Sequence, residues 1–441
     1  MSSLVVAWIV LAAAIVIHRW REGRGMGLVV AFVVSLTSLH WLAATLYVMP
    51  WYTGLDRDDV GKGLQIAFVA LVGFGIGVVL MSRALRSRRD DVEVALPAVT
   101  PRIGLLYVGV GVLLYGAMLT PLRNLPSIGG LASAGSSAAI FGLCLLVWHA
   151  RPSRRLIWLA GAGLLPLVTI VTQGYLSYGI AALVMVVAFV AEWHRPRWVL
   201  LVAGVLLSYV AMSFYVTYMR DRREIREAVW NGATVADRLA VVTKTLGSIE
   251  LFDPFDDAHL ARVDDRLNQN YLVGRAAVWI GNGFAPYGHG TTLVDAALAL
   301  VPRVFWPDKV VAAGSGDLVS QYTGMQFAED TSVGIGEVME FYVNFGTIGV
   351  LLGFVVLGGV VLLFDERAGW HLRQGNVQRA CLWYLPGLSL LQVGGSFVDV
   401  TATMLAALAC GVLANSAHGV LERMGGFQRP RGVVTHDGAL P

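Results

Sequence analysis

Phe341–Phe364 reads FYVNFGTIGVLLGFVVLGGVVLLF and contains no charged side chain. A helix needs about 20 apolar residues to cross the roughly 30 Å hydrocarbon layer of a bilayer, and this run meets that length. Its flanks are charged: Glu337 and Glu340 precede it, and Asp365-Glu366-Arg367 follow it. Working outward, ten more runs of similar character occur: Leu4–Ile17, Met26–Met49, Leu64–Ser82, Ile103–Thr120, Leu131–Ala150, Leu156–Thr172, Tyr175–Trp193, Trp198–Tyr218, Ala380–Val398 and Ala402–Val420. The chain of 441 residues is 56% hydrophobic and 14% charged, with a mean hydropathy of +0.64. These features predict an all-α polytopic membrane protein with about eleven transmembrane helices and one large, structured extracytoplasmic loop. A transmembrane barrel would instead show short alternating segments, which this sequence lacks.

Charge sets the expected orientation. Alternate loops fall into two sets. One comprises His18–Gly25, Arg83–Arg102, Arg151–Arg155, His194–Arg197, Asp365–Arg379 and the C-terminal tail, and it holds 19 of the 33 Lys and Arg residues. The short loops of the other set hold only Arg57, Lys62 and Arg123. Short basic loops stay cytoplasmic, so the expected placement is the cytoplasmic (inner) membrane with the N-terminus outside and the C-terminus inside. The expected organisation is a membrane domain at 1–218 (spans one to eight), an extracytoplasmic loop at 219–340, a second membrane part at 341–420 (spans nine to eleven) and a cytoplasmic tail at 421–441. Cys144, Cys381 and Cys410 all fall within spans and read as packing residues.

The 219–340 loop carries helix signals. Asp221–Trp230 is a charged helical stretch ended by Asn231-Gly232. Thr234-Val-Ala-Asp237 and Thr292-Leu-Val-Asp295 read as capping boxes, the second starting a short apolar helix at Ala296–Val301 that lies in or re-enters the outer leaflet. Asp257–Ile280 reads as one longer helix.

Candidate chemistry gathers at the end of this loop. In VPRVFWPDK (Val301–Lys309), Arg303 is a planar cation suited to phosphate oxygens, Lys309 adds a point charge, and Trp306 suits a sugar face or the membrane interface. The two cations suit lipid head groups equally well. Glu340 shares a helix face with Glu337 and Asn344. A carboxylate there serves as a general base toward a sugar hydroxyl, or simply favours a helix N-terminus. Arg220, Arg222, Arg223 and Arg226 follow the eighth span with Asp221, Glu224 and Glu227 interleaved, so most read as a solvated, ion-paired face, with Arg220 or Arg223 as inward candidates. Arg275 in LVGRAAVWIG calls for an anionic partner. His289, in PYGHGTT, is a candidate proton acceptor or plain surface. Asp56-Arg-Asp58-Asp59 resembles a metal-binding DxD pattern and reads equally as a solvated turn. No phosphate-binding loop, dinucleotide fingerprint, nucleophile elbow or HExxH is present, and nothing points to nucleic acid.

Two motifs carry a resemblance. VPRVFWPDK is similar to the Pro-Arg … Trp-Pro-x-Lys pattern of the Wzy-type O-antigen and exopolysaccharide polymerases, relatives of the O-antigen ligases. GEVMEFYVNFGTIG is similar to their Gly-Glu-x-Tyr-x-Asn-Phe-Gly-x-x-Gly pattern, with Glu340, Tyr342, Asn344, Phe345, Gly346 and Gly349 at matching spacing. The resemblance implies the multi-span glycosyltransferase (GT-C-like) architecture of polymerases and ligases. It implies block transfer of polyprenyl-pyrophosphate-linked oligosaccharides at the outer membrane face with release of polyprenyl pyrophosphate. The candidate catalytic set is Glu340, His289 and Arg303, with Glu340 or His289 as the base. With the residues read above, the candidate substrate and pyrophosphate ligands are Arg303, Lys309, Arg275, Arg223, Arg220, Asn344, Tyr342 and Trp306. No cofactor, nucleotide sugar or metal is expected; membrane lipids are partners and a chain-length regulator is a candidate one. The competing expectations are a metal-dependent polyprenyl-phosphate-sugar glycosyltransferase using Asp56 or Asp58, and a non-enzymatic transporter or flippase of lipid-linked glycans.

Overall fold

The computed structural model describes residues 1–86, 101–120, 122, 128–193, 198–301, 306, 315–327 and 333–423, without the side chains of 152, 153, 193, 198–207 and 315. Among the described residues every regular element is helical. In chain order the helices are α1 (Ser2–Glu22), α2 (Leu28–Leu46), α3 (Arg57–Arg86), α4 (Pro101–Gly116), α5 (Ile128–His149), α6 (Pro152–Gly163), α7 (Leu165–Gln173), α8 (Ser177–Trp193) and α9 (Trp198–Trp230). They continue as α10 (Val235–Gly247), α11 (Asp257–Leu267), α12 (Gln269–Gly281), α13 (Thr291–Ala299), α14 (Ser315–Thr323), α15 (Glu337–Arg373), α16 (Val377–Ser389) and α17 (Phe397–Arg423).

Eight helical stretches among the described residues are long and apolar enough to cross a membrane: α1, α2, α3, Pro101–Leu119, α5, Arg154–Gln173, α15 and α17. Large apolar side chains point outward from them, among them Val10 on α1, Leu113 on α4 and Leu352 and Val356 on α15. A water-soluble helix hides such a face, whereas a lipid solvent welcomes it, so the chain is a multi-pass membrane protein. The apolar helix Ser177–Glu192 is shorter. The expected span Ala380–Val398 is helical only as far as Ser389, because Gly394 and Gly395 open a turn that brings the chain back to the start of α17.

Glycine sets the helix spacing at the centre. Gly73 and Gly77 of α3 lie against the carbonyls of Leu351 and Val355, and Gly358 of α15 lies against that of Phe74; a methyl group at any of the three would overlap backbone. Small residues at this spacing let helix backbones touch in a solvent that offers no hydrophobic drive to associate.

One end of the bundle is locked by charge. Arg19 is fully buried and pairs with Glu22 at 3.0 Å, Glu366 at 3.2 Å, Asp365 at 3.3 Å and Glu192 at 3.9 Å. Asp365 also accepts the backbone N–H groups of Met26 and Leu28 at 2.7 and 3.0 Å, satisfying donors at the start of α2. The loops His18–Gly25 and Asp365–Arg379, expected on one side of the membrane, thus meet in space.

The 219–340 region packs on the other end. Its charged stretch Asp221–Trp230 is the continuation of α9 rather than a separate helix, and Gly232 (φ 77°) follows it in a left-handed turn. Thr234 caps α10 as expected, its hydroxyl accepting the Asp237 N–H at 3.2 Å. Asp257–Ile280 is two helices, not one. Asn268 breaks it: its side chain accepts the Tyr271 N–H and donates to Asp264, which is itself held by the hydroxyls of Tyr47 (2.5 Å) and Tyr52 (2.7 Å). A short polar side chain that finds such partners competes with the helical backbone and ends the helix. Beyond the break, Val273, Ala276 and Ile280 of α12 join the same buried cluster as Phe74 and Phe354 of the spans. Buried Asn270 trades hydrogen bonds with His40 of α2, at 2.8 and 2.6 Å.

A broken helix and two buried carboxyls at a candidate active site

The sequence of α15 runs helically through Gly346, yet that residue takes φ 66° and ψ −161°. This is a conformation open essentially to glycine alone. The break frees the Val343 carbonyl from its intrahelical partner, and the Gly288 N–H takes it at 2.9 Å. Asn344 completes the dock. Its Oδ1 accepts the Gly290 N–H at 2.8 Å, and its Nδ2 donates to Thr292 Oγ1 at 2.8 Å and to the Glu340 carbonyl at 2.7 Å. The expected capping box at Thr292 is therefore not formed. Its hydroxyl is taken by Asn344, Gly290 occupies the N-cap position of α13, and α13 ends at Ala299. At 9 residues α13 is about 14 Å long, too short to cross; it lies along α17, where Thr401 donates to the Ala296 carbonyl at 2.8 Å.

Glu337 and Glu340 open α15 and both are fully buried. The Glu337 N–H is anchored on the Val393 carbonyl at 2.9 Å. Glu340 Oε2 accepts the Phe397 N–H at 2.8 Å, at the start of α17. Glu340 Oε1 and both oxygens of Glu337 have no hydrogen-bond partner. A buried polar group left unsatisfied costs about 1–3 kcal/mol, more if charged, so such oxygens persist where a proton or an incoming group uses them.

A cavity of about 390 Å³ is walled by α5, α16, α17, the turn after α7 and the end of α9, and neither Glu337 nor Glu340 lines it. Gln392, beside Val393, and Thr403, on α17, line it, so the segments that hold the carboxyls also form its wall.

The sequence-derived candidates separate into groups. Arg303 and Lys309 lie outside the described residues. Asn344 and Glu340 sit at the centre. Tyr342 is half-buried with its ring 6.4 Å from that of Tyr287, and His289 is exposed in the docked loop with a left-handed backbone (φ 47°). Trp306 is exposed. Arg275 has its anionic partner in Asp59, at 3.9 Å. Arg220 forks onto Asp221 at 2.7 Å and Glu250 at 2.5 Å, and Arg223 pairs with Glu227 at 2.9 Å on an open helix face. Both act as ion-paired side chains, as the interleaved acids foreshadow. Asp56 uses its carboxylate to accept the N–H groups of Asp58 and Asp59 at 2.9 and 3.3 Å at the start of α3, and Asp58 is exposed. No group of three metal-ligating side chains occurs among the described residues.

Other arginines face inward. Burial, with the Arg266 and Arg226 guanidiniums close by, pushes Arg222 down to about 10. Arg226 lies over the rings of Tyr175 (4.6 Å) and Trp230 (5.1 Å). The periodicity of α9 distinguishes these residues from Arg220 and Arg223 only once the packing of buried Ile225 and Val229 is known. No protein-family model, curated protein or solved structure matches the chain.

Proposed function

We propose that this protein polymerises polyprenyl-pyrophosphate-linked oligosaccharide repeat units, by block glycosyl transfer at the outer face of the cytoplasmic membrane. The observation that carries the reading is Glu340: a buried carboxyl with one free oxygen, anchored in the first turn of the helix that breaks at Gly346. Its motif is the one that resembles the polymerases. In this reading the chain crosses the membrane eleven times with its C-terminus inside, and the end that carries Glu340 faces outward.

The chemistry is a displacement at the anomeric carbon of the donor sugar. The accepting hydroxyl of a second lipid-linked repeat forms the new C–O bond and gives its proton to the carboxylate of Glu340. The bond from the anomeric carbon to the pyrophosphate oxygen breaks, and polyprenyl pyrophosphate leaves with the electron pair. A base positioned for that proton contributes about 10²–10⁴ in rate. The departing diphosphate needs cations that meet its developing charge. Arg303 and Lys309 supply them on the sequence pattern, and the inward pair Arg222 and Arg266 adds to the positive field. No step needs a metal or nucleotide.

The test is deletion of the protein followed by analysis of lipid-linked glycans. Polymer disappears while single repeats accumulate on the lipid carrier; polymer of unchanged length removes the reading.

A further inference from the structure

The cavity walled by α5, α16 and α17 has its own chemistry. Ser137, Thr172, Gln173, Ser389, Gln392 and Thr403 line it, and no charged side chain does so among the described residues. Ser389 lies near the C-terminal end of α16, is 2% exposed and has a hydroxyl without a hydrogen-bond partner. An unsatisfied buried hydroxyl in a cavity wall is a donor and acceptor waiting for a ligand. Gln173 donates to the Tyr115 hydroxyl at 2.9 Å, which fixes its side chain at the cavity edge.

Three aromatic residues, Tyr175, Tyr178 and Trp230, also line it, with Met118, Val229 and Leu388 as its aliphatic part. Tyr175 meets Tyr178 edge to face at 5.6 Å and Trp230 at 6.0 Å. The Arg226 guanidinium over Tyr175 and Trp230 holds both rings in place. Rigid aromatic faces beside hydroxyl and amide groups, in a wall without charge, suit a ligand that is polyhydroxylated and neutral. They do not suit a diphosphate, which requires cations within reach. At about 390 Å³ the cavity lies near the lower end of the roughly 300–1,000 Å³ range of ligand pockets, which favours a short saccharide over a long lipid tail.

We infer that this cavity is a subsite for uncharged sugar units. It seats them against Tyr175 and Trp230, with Ser389 and Gln392 reading their hydroxyls, while any diphosphate binds elsewhere. The inference rests on the proposed polymerase reading for its biological use, since Gln392 and Thr403 of the wall belong to the segments that hold Glu337 and Glu340. The binding itself is testable alone. Arg226 is then a positioning residue that acts through the two rings.

The experiment uses the full chain in lipid nanodiscs free of sugar-based detergent. Saturation-transfer NMR is recorded with cellobiose, maltose and N,N′-diacetylchitobiose as probes. At least one disaccharide gives a saturable signal that inorganic pyrophosphate does not displace. Ser389→Leu, which fills the cavity, and Gln392→Ala each weaken it by at least about tenfold, whereas Ser389→Thr retains it. Arg226→Gln weakens the signal without removing it. Absence of a saturable signal for all three sugars, displacement by pyrophosphate, or full binding by folded Ser389→Leu and Gln392→Ala overturns the inference. Sugar binding that persists although deletion leaves polymer length unchanged removes the polymerase reading and leaves the subsite standing. Polymer lost on deletion but made normally by Ser389→Leu removes the subsite and leaves the polymerase.

Discussion

Asn344 and Thr292 meet through a 2.8 Å hydrogen bond that joins the broken helix α15 to the first turn of α13. The same carboxamide accepts the Gly290 N–H and bonds back to the Glu340 carbonyl, so one side chain sets the loop, the break and the carboxyl relative to each other. Asn344→Leu leaves these buried partners unpaired, at about 1–3 kcal/mol for each one stranded. The expected result is a lower thermal midpoint in nanodiscs and faster proteolysis between Phe284 and Thr292. An unchanged cleavage rate shows that the loop holds without Asn344.

Gly346 occupies a region closed to other residues, and a Cβ there would lie 3.4 Å from the Tyr287 hydroxyl. The space is adequate and the backbone is not. Gly346→Ala costs about 1–3 kcal/mol through conformation alone. The expected protein is made and inserted but melts earlier and forms little polymer. Wild-type stability in this variant shows that the helix runs straight through 346.

Glu340→Gln keeps an oxygen for the Phe397 N–H and removes the base. Polymer formation falls by about 10²–10⁴, with the thermal midpoint close to wild type. Glu337→Gln, without a partner at either oxygen, retains more activity. Equal polymer yield from wild type and Glu340→Gln assigns proton transfer to another group, with His289→Ala as the comparison.

Arg303→Ala, in the motif outside the described residues, leaves the protein in the membrane and abolishes polymer while single lipid-linked repeats remain. Unchanged polymer in this variant shifts the diphosphate to Arg222 and Arg266.

Acid sensitivity tests the ion cluster on the loop. Hydrogen bonds from Arg220, then Arg262 and His259, hold Glu250 at about 2, below its ordinary 4.5. The folded state therefore binds this proton less readily than the unfolded one. The stabilisation is complete above about pH 4.5 and is lost as pH falls towards 2. Glu250 is 36% exposed, so the effect is modest. Thermal midpoints measured from pH 3 to 7 decline less steeply on the acid side in Glu250→Gln than in wild type. Parallel curves remove Glu250 from the acid response.

The apolar runs and their charged borders were legible in the sequence because membrane solvation acts on each segment by itself. Thr234 as a cap and the anionic partner that Arg275 calls for were legible for the same local reason. Arg220 and Arg223 as inward ligands were not settled, because neighbouring acids and an unknown helix face leave both outcomes open. The single helix Asp257–Ile280 and the capping box at Thr292 failed. Thr292 found a distant partner in Asn344, and Asn268 bonds to Asp264 four residues back, which the distant Tyr47 and Tyr52 hold in place.

Sequence by itself determined that this chain is a bundle of membrane helices and that polar groups collect where α15 begins, since burial in lipid is decided residue by residue. Only the tertiary structure decided that α15 breaks at Gly346, that Gly288–Thr292 closes over the break and that Ser137, Thr172, Ser389 and Thr403 line one cavity. Those features arise from hydrogen bonds between residues far apart in the chain, such as the 2.8 Å bond from the Phe397 N–H to Glu340, and local preferences carry no record of such partners.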